Sequence, residues 1–422
     1  MTLAEKILAR AAGRPAAAAG EILWAEPDVA MMDDPLGPNL IQEGLERLGG
    51  RLRHPERVVV ISDHCAPPAN VAHANLLKVT RQWAKRYQIA RFHEFEGICH
   101  QLMVEEGYVR PGQLVVGTDS HTVMGGALGA FATGIGSTEM LGVLVTGQMW
   151  FRVPTTVRVR WEGRLPFGVM AKDLILHLLG QVGPAGLNYQ AVEFCGSAVD
   201  ALPMDERFCL TNMVVEGGAK AGLIPPDQVT REWLQAVLDP EAYAALEWLE
   251  PDPDAAYARE LVESVDALTP QVATPGNPAN AVPVAAVEGV KVDQAYLGGC
   301  AGGRLSDLAA AASLLGGRRV AEEVRLIVCP ASRRVWQQAM ASGVLQTLYE
   351  AGAIVTAPGC GACGGGHSGI LGDGEVAVSS TNRNFPGRMG SGSASIYLAS
   401  ALTVAAAALT GRLTDPRDIL EA

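Results

Sequence analysis

The sequence predicts an α/β protein whose parallel or mixed sheets are covered by helices on both faces. Three observations lead to this fold class. Short β-branched runs recur along the chain, segments of helical periodicity separate them, and three of the clearest runs are nearly all apolar. A strand that is apolar at nearly every position is typical of a sheet buried on both faces. Strands that alternate with helices form βαβ units.

The predicted elements follow in chain order. A short helix begins the chain at 1–13, where Thr2 and Glu5 have the spacing of a capping box. The predicted strands are 57–62, 114–117, 155–161, 292–297, 324–329 and 353–356. The predicted helices are 71–87, 305–315 and 332–349, the last with a break at Gly343. The apolar run 394–409 is shorter than the roughly 20 residues that a membrane span needs, so we expect a buried alanine-rich helix there.

Two changes in composition predict domain boundaries. Residues 155–161 alternate apolar side chains with arginines directly after Pro154, which indicates a new unit. Residues 266–283 are rich in proline and asparagine without periodicity, which is typical of a linker. The predicted division is an α/β/α domain at 1–152, an α/β domain at 153–267, a linker at 268–286 and an α/β domain at 287–422.

The composition narrows the class of protein. The chain has 422 residues, 48% of them hydrophobic and 18% charged, as in an ordinary globular protein. Its formal net charge of −12 provides no general attraction for nucleic acid or for an anionic membrane. Eight cysteines are too sparse for a disulfide scaffold, so we expect a cytoplasmic protein.

Three cysteines in the C-terminal third predict a metal site. Cys300 follows a predicted strand in a glycine-rich turn, and Cys360 and Cys363 form a C-x-x-C pair. The pair alone leaves a redox dithiol, half of a zinc site and simple packing open. A third cysteine at the carboxyl end of a strand favours a ligand site, and three thiolates suit an iron–sulfur cluster with one open, Lewis-acidic iron. The remaining cysteines are predicted to pack in the interior.

A second group of residues pairs histidines with acids in the first third of the chain. Asp63 and His64 end one predicted strand, Asp119 and His121 follow another, and His100 lies in a compact turn. A carboxylate beside a histidine fixes its tautomer and raises its basicity, which suits proton transfer. Each pair alone is more simply explained as a capped loop end, but the three together favour a shared cleft.

A third motif contains two arginines five residues apart, Arg383 and Arg388, around a turn. Guanidinium groups bind carboxylates through paired, charge-assisted hydrogen bonds, so the turn predicts a dicarboxylate clamp. Surface salt bridges are the alternative. The segment 134–138 is rich in glycine but has neither a full dinucleotide motif nor a phosphate-loop lysine, so we assign no nucleotide to it.

Together these motifs resemble the aconitase superfamily, and most closely the separate large subunits of 3-isopropylmalate dehydratase and its homoaconitase-type relatives. The similarity runs nearly end to end, from Leu3–Leu8 through Gly117–Thr122 to Asn382–Phe385. It implies three α/β/α domains of the aconitase type around a cluster-binding cleft, without the swivelling fourth domain. It also implies a 4Fe-4S cluster whose open iron binds the substrate.

The resemblance assigns roles to individual residues. The implied cluster ligands are Cys300, Cys360 and Cys363. The implied catalytic residues are Asp63, His64, His100, Asp119, His121 and Glu216, the last of which orients a histidine. The implied substrate-binding residues are Ser120, Asn212, Asn382, Arg383 and Arg388.

The implied activity moves a hydroxyl group of a 2-hydroxy di- or tricarboxylic acid to the neighbouring carbon by dehydration and rehydration. The first interpretation is 3-isopropylmalate dehydratase in leucine biosynthesis. A homoaconitate hydratase and a dehydratase of dimethylmalate or citramalate are the alternatives. The family's catalytic base is a serine on the swivelling domain, so the resemblance also implies a separate small subunit as partner.

The chain departs from the family pattern at two places. It has Gly299–Gly302 around its first cluster ligand, where Ser-Cys-Thr-Asn is usual, and Asp33 and Leu36 stand where His or Gln and Thr are expected. These differences bear on cluster properties and on substrate choice. The altered loop of Cys300 also suggests a non-catalytic paralogue. A third hypothesis, an RNA-binding regulator, follows from the resemblance, because cluster-free relatives of aconitase can bind RNA, although the charge of −12 argues against it.

Overall fold

The computed structural model describes residues 1–420 of the chain. The strands are β1 (Ile22–Ala25), β2 (Val29–Asp33), β3 (Val58–Ser62), β4 (Arg91–Glu94), β5 (Leu114–Gly117), β6 (Phe131–Gly134), β7 (Met149–Arg152), β8 (Thr156–Glu162), β9 (Ala191–Cys195), β10 (Ala221–Leu223), β11 (Arg259–Ser264), β12 (Gln271–Ala273), β13 (Ala281–Pro283), β14 (Gln294–Gly298), β15 (Arg325–Cys329), β16 (Ile354–Val355), β17 (Val376–Ser379) and β18 (Ser395–Ala399).

The helices are α1 (Leu3–Ala11), α2 (Pro38–Arg47), α3 (Val71–Arg86), α4 (Cys99–Glu105), α5 (Ser137–Thr146), α6 (Ala171–Val182), α7 (Ser197–Asp200), α8 (Met204–Met213), α9 (Gln228–Val237), α10 (Pro240–Ala244), α11 (Leu305–Leu315), α12 (Arg333–Ala341), α13 (Val344–Glu350), α14 (Ala401–Thr410) and α15 (Pro416–Leu420).

The chain divides into two compact units. The first comprises Met1–Glu94, Cys99–Glu162 and Leu187–Ser264, and the second comprises Phe95–Ile98, Gly163–Gly186 and Val265–Ala422. The four-part division expected from composition stays a prediction.

The first unit is built on two parallel sheets and a short ribbon. In the larger sheet the strand order is β4-β3-β2-β5-β6, and every neighbouring pair is parallel. The smaller sheet has the order β10-β9-β8-β11, also parallel throughout. Strands β1 and β7 form an antiparallel ribbon. In the larger sheet the strand order reverses between β2 and β5, which is where α/β proteins form ligand crevices.

The core of the first unit follows from its apolar strands. β3 and β5 are buried at every position, as expected for the predicted strands 57–62 and 114–117, and β2, which was not among the predicted strands, is buried in the same way. Leu3 and Ile7 of α1 pack with Val60 and Val116 in one apolar cluster. The predicted capping box of α1 is confirmed, because Thr2 Oγ1 accepts the backbone N–H of residue 5 and that residue's carboxylate accepts the N–H of Thr2.

The second unit is built on one mixed sheet of seven strands in the order β13-β12-β18-β17-β14-β15-β16. The pairs from β18 to β16 are parallel, and β12 runs antiparallel to both of its neighbours. Helix α11 has the predicted bounds. The predicted break at Gly343 is confirmed, since this residue adopts φ +78° between α12 and α13.

Three segments differ from the sequence prediction. Residues 394–409 do not form one helix, because 395–399 pair with β17 and β12 as β18 and the helix starts only after Ser400. The predicted linker contains β12 and β13, and its Pro283 ends an edge strand, where a missing N–H is tolerated. The turn predicted around His100 is helix α4, whose first N–H is bound by a carboxylate distant in sequence.

Among residues 1–420, no helix combines the length and the apolar character needed to cross a membrane.

Candidate functional site

The strand reversal in the first unit gathers acids and histidines at one sheet edge. β2 ends at Asp33, β3 is followed directly by Asp63 and His64, and β5 leads to Asp119. Since these strands are parallel neighbours, their carboxyl ends lie side by side. The acid and histidine side chains therefore converge, as expected. His100 is not on one of these strands and reaches the others from α4.

One chain of hydrogen bonds links two of the predicted pairs. His64 Nδ1 lies 2.8 Å from Asp63 Oδ1, and its Nε2 lies 3.5 Å from Asp119 Oδ2. His100 Nε2 lies 2.9 Å from Asp119 Oδ1. His100 is only 4% exposed, whereas the side chains of His64 and Asp119 are 21% and 16% exposed. His64 and Asp119 are therefore the more exposed members of this network.

A second branch leaves Asp119 through His121. The backbone N–H of His121 donates to Asp119 Oδ1 at 2.7 Å, and His121 Nε2 lies 2.9 Å from Glu216 Oε1. Glu216 belongs to a 3-10 turn, Val214–Gly217, that follows α8, so the pair closes a sequence separation of 95 residues. Asn212, another predicted site residue, is fully buried on α8.

The histidines set the charge of the central carboxylates. Burial opposes ionisation of Asp119, but the neighbouring His100, His121 and His64 outweigh it and hold the pKa well below its ordinary value. Burial is likewise the largest influence on Asp63, and His64 with the Cys99 N–H outweighs it, so that pKa is also lowered. Both groups are anionic near neutral pH and keep their imidazoles as hydrogen-bond donors toward them.

Asp34 is a structural member of the site that sequence reasoning missed. Its Oδ1 accepts the backbone N–H groups of Asp63 and His64 at 3.0 Å each, and its Oδ2 accepts that of Cys65 at 2.8 Å. The carboxylate thus shapes the loop that presents His64. The only available signal was its position at the end of a strand, next to Asp33.

Asp33 is buried beside this network with an unsatisfied oxygen. Its Oδ1 accepts the N–H of Leu36 at 2.7 Å, and among residues 1–420 its Oδ2 has no hydrogen-bond partner. One oxygen of Asp33, one nitrogen of His64 and one oxygen of Asp119 all lie within 4.8 Å of one another. Burial is the main reason that the pKa of Asp33 is raised to about 7, and the charges of Asp119 and Asp63 add to it.

Asp33→Asn is expected to stabilise the protein at pH 8 by up to roughly 4 kcal/mol and to change stability little at pH 4. The folded carboxyl has a pKa of about 7 against 3.8 ordinarily, so the native state holds the proton more tightly. Stability is therefore present below pH 4 and is lost as the pH rises toward 7, and the neutral amide avoids this loss. Urea unfolding at both pH values measures the difference. An equal effect at both would contradict the titration.

The second unit brings the three predicted cysteines into neighbouring glycine-rich loops. Cys300 follows β14 and Cys363 lies in the 3-10 turn Gly361–Gly364, directly after Cys360. Cys300 Sγ lies 3.4 Å from Asn382 Nδ2, and Cys363 Sγ lies 3.9 Å from Asn382 Oδ1. The thiols are not in disulfides, and Cys300 and Cys363 are buried. Thiols held at one amide group fit the ligand set of an iron–sulfur cluster.

The departure at Gly302 has a local explanation. A Cβ at this position would lie 2.4 Å from Ser380 Cβ, so a side chain does not fit here. Ser380 Oγ accepts the N–H of Gly298 at 2.9 Å and donates to the Gly302 carbonyl at 2.9 Å. Arg304 is 1% exposed and its guanidinium donates to the Cys300 carbonyl. The loop is therefore held by Ser380 and Arg304.

The C-x-x-C turn is supported from β14 and β15. Tyr296 Oη accepts the backbone N–H of Ala362 at 3.2 Å, and a side chain at Gly361 would collide with that hydroxyl. Cys329 Sγ donates to the Gly359 carbonyl at 3.2 Å, and burial raises its pKa. Cys329 therefore anchors the loop, which agrees with its predicted packing role.

The predicted substrate turn follows β17. Lys172 Nζ donates to the Thr381 carbonyl at 2.6 Å, which fixes the backbone before Asn382. Arg388 Nη2 lies 4.0 Å from Cys363 Sγ, so one of the two predicted arginines reaches the cysteine loops. Arg383 is half-buried in the same turn.

Comparison with known proteins gives a family for the whole chain. Residues 5–411 match the aconitase family (aconitate hydratase). The chain is 48% identical over 421 residues to 3-isopropylmalate dehydratase large subunit 1 of Methanopyrus kandleri, which covers 99% of each chain. It is 46% identical over 421 residues to the homoaconitase large subunit of Thermus thermophilus, which covers 100% of this chain and 98% of the other.

Among solved structures, the fold is similar to the crystal structure of aconitase X from Thermococcus kodakaraensis in its holo-form. The TM-score is 0.52 at 14% sequence identity, and the match covers 94% of this chain and 90% of that one. At this identity the similarity shows a shared fold and nothing further.

Proposed function

Because the chain belongs to the aconitase family, as its motifs indicated, we propose that it is the large subunit of an iron–sulfur hydro-lyase. Its substrate is a 2-hydroxy di- or tricarboxylic acid, which it isomerises by dehydration and rehydration. The observation that carries the proposal is the approach of Cys300 and Cys363 to the side chain of Asn382. The proposal includes a cytoplasmic location, as the cysteine usage predicts.

The residues proposed to hold the cofactor are Cys300, Cys360 and Cys363. Aconitase family enzymes generally bind an iron–sulfur cluster, and a 4Fe-4S cluster leaves one iron open when three thiolates bind it. When bound, such a cluster supplies a Lewis acid for the substrate hydroxyl. The glycine-rich loops support this assignment, because Gly302 and Gly361 leave no side chain beside the thiols.

The proposed role of the first unit is proton transfer. His100 delivers the proton to the departing hydroxyl, and Asp119, which its three histidine neighbours keep ionised, holds and orients that imidazole. Asp63 fixes the tautomer of His64, and Glu216 fixes that of His121, through contacts of 2.8 and 2.9 Å. In this way each imidazole has one nitrogen committed to a carboxylate.

The substrate's carboxylates are assigned to cationic and amide side chains. Arg383 and Arg388 bind one carboxylate while negative charge builds on the adjacent carbon, which stabilises the transition state. Asn382 orients the same group from the turn after β17, and Ser120 completes the proposed set of substrate contacts. Asn212 is fully buried on α8 and is proposed to support the site without touching substrate. The negative net charge of the chain, −12, makes such local cations the basis of substrate selection.

We further propose that a small subunit completes the enzyme. The relatives from Methanopyrus kandleri and Thermus thermophilus are both named large subunits. The resemblance assigns the catalytic base to a serine of the swivelling domain. Co-purification of the tagged chain with a smaller protein from its own host would support this partner, and a fully active isolated chain would contradict it.

The first substrate we propose is 3-isopropylmalate, as in leucine biosynthesis. In an anaerobically reconstituted complex, the kcat/KM for 3-isopropylmalate is expected to exceed those for homocitrate and dimethylmalate. Each substrate is offered to the same preparation, and formation of the unsaturated product is followed by absorbance. Turnover of homocitrate without turnover of 3-isopropylmalate would overturn this choice while retaining the reaction class.

A further inference from the structure

The first unit contains a cavity of about 440 Å³, and of its lining residues only Ser120 has been assigned to the substrate so far. It lies beside the edge strand β6, and its wall includes Ser120, Trp150, Tyr189 and Lys220. The volume falls within the range of small-molecule sites.

Lys220 contributes a cation to this wall, and Glu139, which also lines the cavity, contributes a carboxylate that does not form an ion pair with it. The side chain is half-buried, and its Nζ donates to the Gly134 carbonyl at a long 3.4 Å. Burial lowers its pKa, against the opposing influence of the exposed Glu139. Within residues 1–420, Lys220 forms no ion pair. An ammonium in such a position is stabilised by an anion that enters the cavity.

A second cation shares the aromatic ring beside Lys220. Arg152 Cζ lies 4.4 Å from the Tyr189 ring centroid and Lys220 Nζ lies 5.8 Å from it. Arg152 also has no ion pair in the described part of the chain. Tyr189 adopts φ +56°, a left-handed conformation that is costly for a bulky residue. The fold thus keeps two cations near one aromatic ring in a strained backbone position, in a protein of net charge −12.

The rest of the wall is largely apolar. Val123, Ile135, Met149, Phe151 and Val215 line the cavity together with Trp150. A small inorganic anion would leave the apolar side chains exposed to water. An organic anion with a short apolar body covers them while its charge reaches the Lys220 ammonium.

The cavity is continuous with the turn that carries the acid–histidine residues. An ideal Cβ at Gly134 would lie 2.8 Å from the Asp119 carbonyl oxygen and 2.7 Å from Ser120 Cα, so this strand end packs directly on the turn. The carbonyl of the same glycine accepts from Lys220. Ser120 follows Asp119 in sequence and itself lines the cavity.

We propose that this cavity binds an organic carboxylate with a short apolar body, with the carboxylate paired to Lys220 and the body packed against Val123, Ile135 and Val215. We take this ligand to be part of the hydroxy-acid substrate, namely its side group and the adjoining carboxylate. This choice rests on the proposed function. A separate carboxylate effector has the same chemistry.

The test is isothermal titration calorimetry on the purified full chain with isovalerate and its neutral analogue isovaleramide. Isovalerate is expected to bind at least about tenfold more tightly, because only it pairs with the ammonium. Lys220→Met is expected to weaken isovalerate about tenfold or more, and Lys220→Arg to retain most of the affinity. Lys78→Met, an exposed lysine on α3, serves as the matched control and is expected to bind as wild type.

Competition distinguishes the two sources. If 3-isopropylmalate displaces isovalerate, and Lys220→Met raises its KM while kcat is retained, the ligand is the substrate. If isovalerate still binds at saturating 3-isopropylmalate, the ligand is a separate carboxylate. Equal binding of isovalerate and isovaleramide, or unchanged binding by Lys220→Met, would overturn the site. These binding results do not depend on turnover, so they stand apart from a failure of the proposed function.

Discussion

Cys360→Ser is expected to reduce turnover of the reconstituted complex below about 1% of wild type and to remove the brown colour of the cluster. Even residues that only support metal ligands contribute about 10- to 100-fold to metal affinity or activity, so loss of a ligand has a larger effect. Cys360 immediately precedes the 3-10 turn that carries Cys363, and its backbone carbonyl accepts the Cys363 N–H independently of the side chain, so the loop is expected to keep its fold. Iron and sulfide content, visible absorption and the initial rate are measured on the same sample.

Cys195→Ser provides the matched control for this result. Cys195 ends β9 in the first unit and is half-buried, away from any proposed role. Its variant is expected to keep the wild-type iron content and rate. A Cys360→Ser protein with full iron, full sulfide and wild-type turnover would refute the ligand assignment.

Asp119→Asn is expected to lower kcat by about 10²- to 10⁴-fold, the usual contribution of a positioned acid–base group. Asp119 Oδ1 lies 2.9 Å from His100 Nε2 and accepts the backbone N–H of His121 at 2.7 Å. Asp119 Oδ2 lies 3.5 Å from His64 Nε2. An amide of the same shape removes the negative charge that holds these imidazoles. Since the pKa of Asp119 lies well below its ordinary value, wild type keeps this charge throughout the neutral range.

The control for Asp119→Asn is Glu193→Gln, another change of a buried acid to its amide. Glu193 is 2% exposed on β9, and its Oε1 accepts from Tyr257 Oη at 2.5 Å. The Glu193→Gln variant is expected to keep kcat within about twofold of wild type, because Glu193 has no proposed role in the reaction. Cluster content and thermal melting are recorded for both variants. A wild-type kcat for Asp119→Asn at normal cluster content would contradict the proton-transfer role.

Many of the elements could be predicted because their causes are local. Capping of α1 by Thr2, the break at Gly343 and the bounds of α11 each depend on residues within a few positions. The C-x-x-C pair and the glycine-rich turn of Cys300 were likewise visible as short motifs. Where prediction failed, distant partners had decided the structure. Residues 395–399 form a strand because β17 and β12 flank them, although their composition continues into α14.

Only part of the candidate site could be predicted from local sequence. Asp63 and His64 are adjacent in sequence, so their side-chain contact could be predicted. The family resemblance implied only that Glu216 orients a histidine, and the fold decided that this histidine is His121, since nothing local joins residues 95 positions apart. Asp34 and Lys220 were missed because their roles consist of contacts with other segments, namely the backbone after β3 and the carbonyl of Gly134.

The sequence by itself determined the α/β class, the cap of α1, the bounds of α11, the thiol motifs and membership of the family, because these depend on periodicity, on backbone preferences and on short signatures. The tertiary structure alone decided which carboxylate meets which imidazole, why Asp33 has a pKa near 7 and where Lys220 finds its cavity. The physical reason is that charge interactions and desolvation depend on distance and burial in three dimensions. The reversal of strand order between β2 and β5 creates these distances by bringing remote segments to one edge.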